Sequence, residues 1–499
     1  MRLNFRDAQF AFRSKSTKEL ARALLVLKLC TFRPLVSNAS SLLKNSRRIL
    51  GDGLTLGLIR QTFFNHFCAG EDSTSIRPTI SRLESQGIKS ILDFAAEADV
   101  AEKTNSNQPL TTPGIDARSY AEDISESDCD ANLQVFEQCI RAAGQFEGGF
   151  AAIKISGLGR PVLLQKLSHV VNQTRRIFLD IDKEKKRVLT FEEFSRGIES
   201  MGVVLDPSSA KDLFIRFDHG QDGTIDLLEW IEHLKVEDPA TRAFFVSQGM
   251  LPSLSDEELN QFQRVVHRVE KLADLALDLK VRLMIDAEQS YFQAGIDHLV
   301  MNLQRKYNRG DIPIIFGTCQ AYLRDAWPRL LTDLERARRE NFRFAAKIVR
   351  GAYMIAERKR ANELNYKDPI HVDLEATHAC YHRCIDAMFD NISRSEVMIA
   401  SHNQKSIEYV ISKMNELGID KKSGGVYFGQ LLGMADHLSL ILGQNGYNVF
   451  KYVPYGPVHQ VLPYLVRRAE ENSAILEGEG VQLEREMLWE ELKRRLLPN

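Results

Sequence analysis

Ten polar side chains in this 499-residue chain fall in or just beyond short apolar runs: Lys154, Asp286, Glu288, Gln320, Lys347, Arg350, Tyr353, His402, Asn403 and Tyr452. A lysine in an apolar stretch is costly to bury unless it is paired or used. Asp286 and Glu288 alternate, so they share one face of a strand, where ion pairing inside the fold is the structural alternative to chemistry. Gln320, His402 and Asn403 offer donors and acceptors suited to a heteroaromatic ring. Arg467 and Arg468 follow in PYLVRRAEEN. Two guanidiniums can clamp a carboxylate, because arginine presents rigid paired donors. Adjacent helical residues splay apart, so one could hold a ligand while the other takes an acid. A solvated basic face is the competing interpretation.

The runs that carry these residues are Ser90–Phe94, Gly149–Ser156, Val281–Glu288, Ile312–Thr318, Phe344–Tyr353, Glu396–Asn403, Gly425–Gln430 and Asn448–Gly456. They are rich in β-branched and aromatic residues, and helical patterns separate them. That alternation predicts parallel strands joined by crossover helices. Eight units close a (β/α)8 barrel, whose active site lies at the carboxyl ends of the strands.

The gap from Ser156 to Val281 is too long for one crossover helix. It contains DHGQDGTIDLLE at Asp218–Glu229. An EF-hand loop needs oxygen ligands at positions 1, 3, 5, 9 and 12 and a glycine at 6. Asp218, Asp222, Asp226 and Glu229 fill 1, 5, 9 and 12, Gly223 fills 6, and Ile225 gives the apolar residue at 8. Gly220 at position 3 has no side-chain oxygen. Asp182–Glu193 (DKEKKRVLTFEE) repeats the frame with Asp182 at 1, Glu184 at 3, Leu189 at 8 and Glu193 at 12, but with cations at 5 and 6, and those repel calcium. An EF-hand-like helical pair is therefore expected, with calcium in its second loop or a stabilising module that stays empty.

Net charge is −2, which gives no argument for nucleic acid. Seven dispersed cysteines fit a reducing compartment better than a disulfide framework. Cys380 and Cys384 interleave with His378 and His382, but their surroundings read as an ordinary amphipathic helix. The apolar segment Leu20–Val36 is broken by Arg22, Lys28, Arg33 and Pro34. It reads as a helix packed on the protein, with a helix lying on a membrane surface as the alternative. The N-terminus has no secretory signal and no evident transit peptide. Thr104–Asp130 is polar and reads as a surface excursion.

Together these segments resemble the proline dehydrogenase family. The resemblance rests on LMIDAEQSYFQ, QAYLRDA, KIVRGAYMIAER, ASHN, YFGQLLGM, FKYVPYG and PYLVRRAEEN, in that order. It implies a distorted (β/α)8 barrel whose final helix folds over the mouth. It also implies FAD-dependent oxidation of L-proline to Δ1-pyrroline-5-carboxylate, by hydride transfer to the flavin. Electrons would then pass to ubiquinone at the matrix side of the mitochondrial inner membrane, with peripheral membrane contact. By the same resemblance Arg467 and Arg468 grip the substrate carboxylate, Lys154 lies near the substrate, and Asp286 orders the polar cluster. Tyr353, Tyr452, Tyr464 and Leu432 wall the proline ring, while Gln320, Lys347, Arg350, His402, Asn403 and Glu471 contact flavin. Hydroxyproline-oxidising relatives look to carry a small residue where this chain has Tyr452, so proline is the expected substrate. Hydroxyproline dehydrogenase is the alternative, and a calcium-binding scaffold on an inactive barrel is the rival class. The expected domains are an N-terminal helical region (1–75), barrel (76–164), insert (165–245), barrel with final helix (246–476) and a helical tail (477–499).

Overall fold

A computed structural model describes residues 3–95, 124–475 and 479–497. Its strands are β1 (Ile88–Phe94), β2 (Phe150–Ile153), β3 (Val188–Thr190), β4 (Thr224–Asp226), β5 (Arg282–Ile285), β6 (Ile315–Gln320), β7 (Phe344–Val349), β8 (Ser395–Ala400), β9 (Val426–Leu431) and β10 (Val449–Tyr455). Eight of them form a closed parallel barrel in the order β1–β10–β9–β8–β7–β6–β5–β2. Each predicted run contributes one barrel strand. β3 and β4 lie outside the barrel.

The strand period of two sorts side chains into an interior and an outer layer. Ile91, Phe150, Ala152, Met284, Phe316, Ala345, Met398, Tyr427 and Phe450 fill the interior as one buried cluster. Phe150 meets Phe316 and Phe450 edge-on, with ring centroids 5.1 and 5.0 Å apart. At the amino-terminal end, Arg282 lies over the Tyr427 ring, and Glu396 accepts the Tyr427 hydroxyl at 2.7 Å. That arrangement seals the floor. Residues of opposite parity, such as Leu92, Ala151, Ile153, Leu283 and Ile285, pack outward against the helices.

The insert between β2 and β5 builds a second core from Phe178, Leu189, Phe194, Phe214, Phe217, Ile225, Trp230 and Phe245. β3 and β4 pair antiparallel, and the register sets Leu189 opposite Ile225. These are the two residues expected at the eighth position of their loops. The helix Pro161–Ile181 serves both cores: Leu163, Leu164 and Leu167 join the barrel, while Ile177, Phe178 and Ile181 join the insert. The expected domain edge at 165 falls inside this helix.

The helix Thr17–Cys30 starts on a Ser16–Glu19 capping box and buries Leu20, Ala23, Val26, Leu27 and Cys30. It therefore packs on the protein, against the C-terminal helix Glu479–Leu496 among others. Among the described residues no helix is long and apolar enough to cross a membrane. Of the polar stretch Thr104–Asp130, residues 104–123 lie outside the described part. Its end is helical rather than an excursion, because Ser125 and Asp128 cap the helix Glu126–Ala143.

Candidate active site

The interior parity continues upward into the polar residues. Two residues beyond Ile91, Ala152, Met284, Ala345 and Phe450 come Asp93, Lys154, Asp286, Lys347 and Tyr452. One turn of the strand pattern therefore changes a dry core into a charged mouth.

Asp286 is the hub of that mouth. One carboxylate oxygen takes the Lys347 ammonium, and the other accepts the Tyr452 hydroxyl at 2.7 Å. Lys347 also lies 5.6 Å from the centre of the Tyr452 ring. All three are largely shielded from water, so the charges compensate each other where solvation is weak. Burial and the Asp286 carboxylate push the Tyr452 phenol well above its usual range, which keeps it a neutral donor. Lys347, expected at the flavin, is held first by Asp286.

Glu288 forms a second brace. It accepts the Ser156 backbone N–H at 3.0 Å, next to Lys154, and its own carbonyl accepts Gln320 Nε2 at 3.0 Å. Burial pushes its carboxyl up, opposed by Ser156 and Lys154. Gln320 is 2 % exposed, and its Oε1 has no partner among the described residues. A ligand with an N–H donor would satisfy it.

Just beyond β8, His402 is part-buried. Its Nε2 accepts the Leu431 N–H at 3.1 Å, which places any ring proton on Nδ1. Burial, with Lys451 and Arg468 nearby, pushes it down to about 3, so the ring is neutral at ordinary pH. Arg350 stacks over the Tyr381 ring and donates to His378, Ser401 and Ser406 at 2.9–3.0 Å. Asn403 caps the helix Gln404–Glu416 by accepting the Ser406 N–H at 3.0 Å.

The final helix, Leu462–Ile475, brings Tyr464, Arg467, Arg468 and Glu471. The two arginines diverge as their spacing requires. Arg468 is buried, lies 4.9 Å over the Tyr464 ring and pairs with Glu471. Arg467 is only half-buried. The Tyr464 hydroxyl is buried without a hydrogen-bond partner among the described residues. Leu432, nearly buried, is tied to β10 through its N–H on the Tyr452 carbonyl at 3.0 Å. Tyr353 immediately precedes the helix Met354–Glu363.

Sequence reasoning did not find the support beneath this mouth. Lys451, facing away from Tyr452, pairs with Asp436 at 2.7 Å and donates to the Leu431 and Met434 carbonyls. Lys15 from the N-terminal segment pairs with the same carboxylate. Glu484 from the C-terminal helix accepts the Ala435 and Asp436 N–H groups at 2.9 and 2.7 Å. The signal was present: Lys451 is a lysine inside an apolar strand, like Lys154.

The acidic loop behaves differently from a cation cage. Asp218 accepts the Asp222 and Gly223 N–H groups, and Asp222 accepts Thr224. Glu229 accepts the Gly220 and Asp226 N–H groups at 2.8 and 2.9 Å. Asp226 caps its own helix and pairs with Arg339 from the barrel helix Ala326–Glu340. In the first loop Lys186 occupies Glu193 at 2.6 Å. Among the described residues no three acidic, histidine or cysteine groups converge to hold a metal, so calcium gains no support. The two histidines that interleave with Cys380 and Cys384 turn elsewhere: His378 accepts from Arg350, and His382 stacks on Tyr409, with ring centroids 4.4 Å apart.

A closed parallel barrel with a charged mouth, covered by an arginine-bearing helix, defines a (β/α)8 barrel enzyme. A family model described as proline dehydrogenase matches residues 76–478. The chain is 38% identical to "Proline dehydrogenase 1, mitochondrial" of Homo sapiens, over 99% of this chain and 90% of that protein. The corresponding Caenorhabditis elegans protein is 36% identical, over 99% and 88%. "Hydroxyproline dehydrogenase" of Xenopus laevis is 33% identical, over 99% and 90%. The crystal structure of proline utilization A from Bdellovibrio bacteriovorus superposes with a TM-score of 0.55 at 16% identity, covering 99% of this chain and 38% of that longer one, a likeness of fold. The chain belongs to the proline dehydrogenase family.

Proposed function

We propose that this protein oxidises L-proline to Δ1-pyrroline-5-carboxylate with FAD as cofactor, in the mitochondrion, and passes the electrons to ubiquinone at the matrix face of the inner membrane. The observation that carries this reading is the Asp286–Lys347–Tyr452 cluster beneath the arginines of the final helix. Its cation and neutral phenol, together with the guanidiniums of the final helix, suit a small amino acid with a free carboxylate. The mitochondrial names of the proline dehydrogenase relatives support the location.

Several residues fit a flavin. Gln320 presents an unpartnered buried acceptor, which the N–H of an isoalloxazine edge would satisfy. Neutral His402, with Lys347, Arg350, Asn403 and Glu471, would supply the further donors, acceptors and charges that a flavin needs. When bound, FAD supplies the two-electron sink that accepts hydride from proline Cδ.

The protein's own part is orientation. Arg467 and Arg468 hold the carboxylate, so the ring carbon that loses hydride points down into the mouth. Tyr452, Tyr464, Leu432 and Tyr353 wall the ring and exclude water, and Lys154 adds positive charge on the substrate side. Because Asp286 fixes the Tyr452 hydroxyl, the phenol cannot swing aside for a ring hydroxyl. That argues for proline over 4-hydroxyproline.

The acidic loop does not fit calcium as it stands. Gly220 brings no oxygen and Asp226 is engaged by Arg339, so the loop is read as a structural brace.

The deciding experiment is a visible spectrum of the purified protein followed by anaerobic addition of L-proline and, separately, trans-4-hydroxy-L-proline. Bleaching of a flavin band by proline and only weakly by hydroxyproline is expected. Stronger bleaching by hydroxyproline would overturn the substrate, and a colourless protein would overturn the reaction.

A further inference from the structure

The helix Ala39–Ile59 has little purchase on the body of the protein. Of its 21 residues only Thr55 is buried. At Gly51, φ is +74°, and the helix breaks there into two arms. The first arm exposes Leu42, Ile49 and Leu50, and the second exposes Leu54 and Leu58; Ile49 is 81%, Leu54 66% and Leu58 61% exposed. Leu42, Ile49 and Leu50 are seven and eight residues apart, and Leu54 and Leu58 are four apart. Each arm therefore gathers its aliphatic groups on one face. Scattered exposed leucines are ordinary, but a row of five on one element marks a contact surface. No described element covers it.

Two further observations say what does. Lys44, Arg47 and Arg48 stand on these arms against one acid, Asp52, so the local charge is three minus one, or +2; Arg60, just beyond, is taken by Glu71. Arg47 holds Asp52 across the kink at 2.7 Å, leaving the bend cationic. Aliphatic side chains beside cations match acyl chains beside anionic headgroups. The second observation is position. Leu56, Ile59, Phe63 and Phe64 root the arm in a cluster with Val458, Val461, Tyr464 and Leu465. Tyr464 and Leu465 belong to the helix that carries Arg467 and Arg468, so the arm stands at the mouth of the barrel.

We propose that Ala39–Ile59 is the element through which this protein lies on an anionic lipid bilayer. Leu42, Ile49, Leu50, Leu54 and Leu58 enter the acyl boundary, and Lys44 and Arg48 meet headgroup phosphates. The contact turns the barrel mouth toward the bilayer. In purpose this rests on the proposed lipid-soluble electron acceptor; in geometry it does not.

The test is co-sedimentation of the full chain with vesicles of phosphatidylcholine alone and of phosphatidylcholine mixed with phosphatidylglycerol. Wild type should bind the mixed vesicles more tightly, and binding should weaken as salt rises. Ile49→Glu with Leu54→Glu should weaken binding at least about tenfold, because two buried aliphatic contacts are lost. Lys44→Glu with Arg48→Glu should remove the preference for anionic lipid. Proline-driven reduction of a soluble dye should be unchanged in both variants, since no residue altered belongs to the site. Wild type that sediments with neither vesicle, or aliphatic variants that bind like wild type, would overturn the proposal. So would self-association without lipid that Ile49→Glu with Leu54→Glu abolishes, which would make the occupant a second copy of this chain. Vesicle binding without dye reduction would keep this contact and remove the proposed reaction.

Discussion

Tyr452 donates its hydroxyl to Asp286 at 2.7 Å, across the barrel from β10 to the end of β5. The bond turns a flexible phenol into a fixed wall. Tyr452→Ser should therefore open space above the mouth and raise kcat/KM for trans-4-hydroxy-L-proline relative to L-proline by about tenfold or more. Asp286→Asn keeps the shape but weakens the hold on Lys347, and should lower kcat/KM for proline by about 100-fold. An unchanged substrate ratio in Tyr452→Ser would remove the tyrosine from the specificity argument.

Arg468 is buried on Tyr464 and paired with Glu471, whereas Arg467 is half-buried. Replacing either by Met should raise KM for proline about tenfold to 100-fold, the worth of one charged hydrogen bond of about 1.5–3 kcal/mol. Arg468→Met should also lower Tm, because its part-buried ion pair with Glu471 and its stacking on Tyr464 are lost. Equal KM values in variants and wild type would show that the carboxylate is held elsewhere.

His66 is buried and His402 part-buried, and desolvation pushes their rings from 6.5 down to about 4 and about 3, so both are neutral. The unfolded chain protonates them first, so it binds more protons than the native state below about pH 6.5. Stability should therefore fall as pH drops from about 6.5 toward 4, by about 1.4 kcal/mol per pH unit for each histidine. Urea midpoints between pH 7.5 and 4.5 measure this. His402→Gln keeps an acceptor for Leu431 and should flatten the slope; an unaltered slope would exclude His402 as a source.

Lys451→Met removes the β10 cation from Asp436 and leaves a buried carboxylate with Lys15 alone. The expected cost is about 3–5 kcal/mol, seen in thermal unfolding. Loss of less than about 1 kcal/mol would mean that water reaches Asp436.

Because the Arg339 guanidinium rather than a metal ion faces Asp226, calcium should leave Tm and activity unchanged. Glu229→Gln should lower the stability of the insert equally with calcium and with chelator. A rise in Tm on adding calcium, lost in Glu229→Gln, would reverse the reading of this loop.

The barrel was legible because its strands announce themselves twice, by β-branched and aromatic composition and by polar residues at their ends. The pairing of Leu189 with Ile225 was implicit in the repeated loop frame. The partnerships were not legible. Nothing local shows that Lys347 ends on Asp286, since 61 residues separate them. Nor does DHGQDGTIDLLE reveal Arg339, 113 residues beyond Asp226. Lys451 escaped for a different reason: parity tells which face a residue takes, but not that both ends of the chain would supply its neighbours.

That last feature bears on how far the enzyme can be trimmed. Ala435 holds a left-handed conformation at φ +49°, which alanine adopts only under constraint, three residues after Leu432. Glu484 anchors its N–H from a helix beyond the barrel, and Lys15 secures the next residue from before it. A minimal barrel cut free of its first 20 and last 20 residues or so would retain every candidate for chemistry. It would also leave two buried amides without an acceptor and let the loop carrying Leu432 relax. Both ends of the described chain thus brace the candidate site from a distance, and tags or truncations there should be judged by turnover rather than by yield.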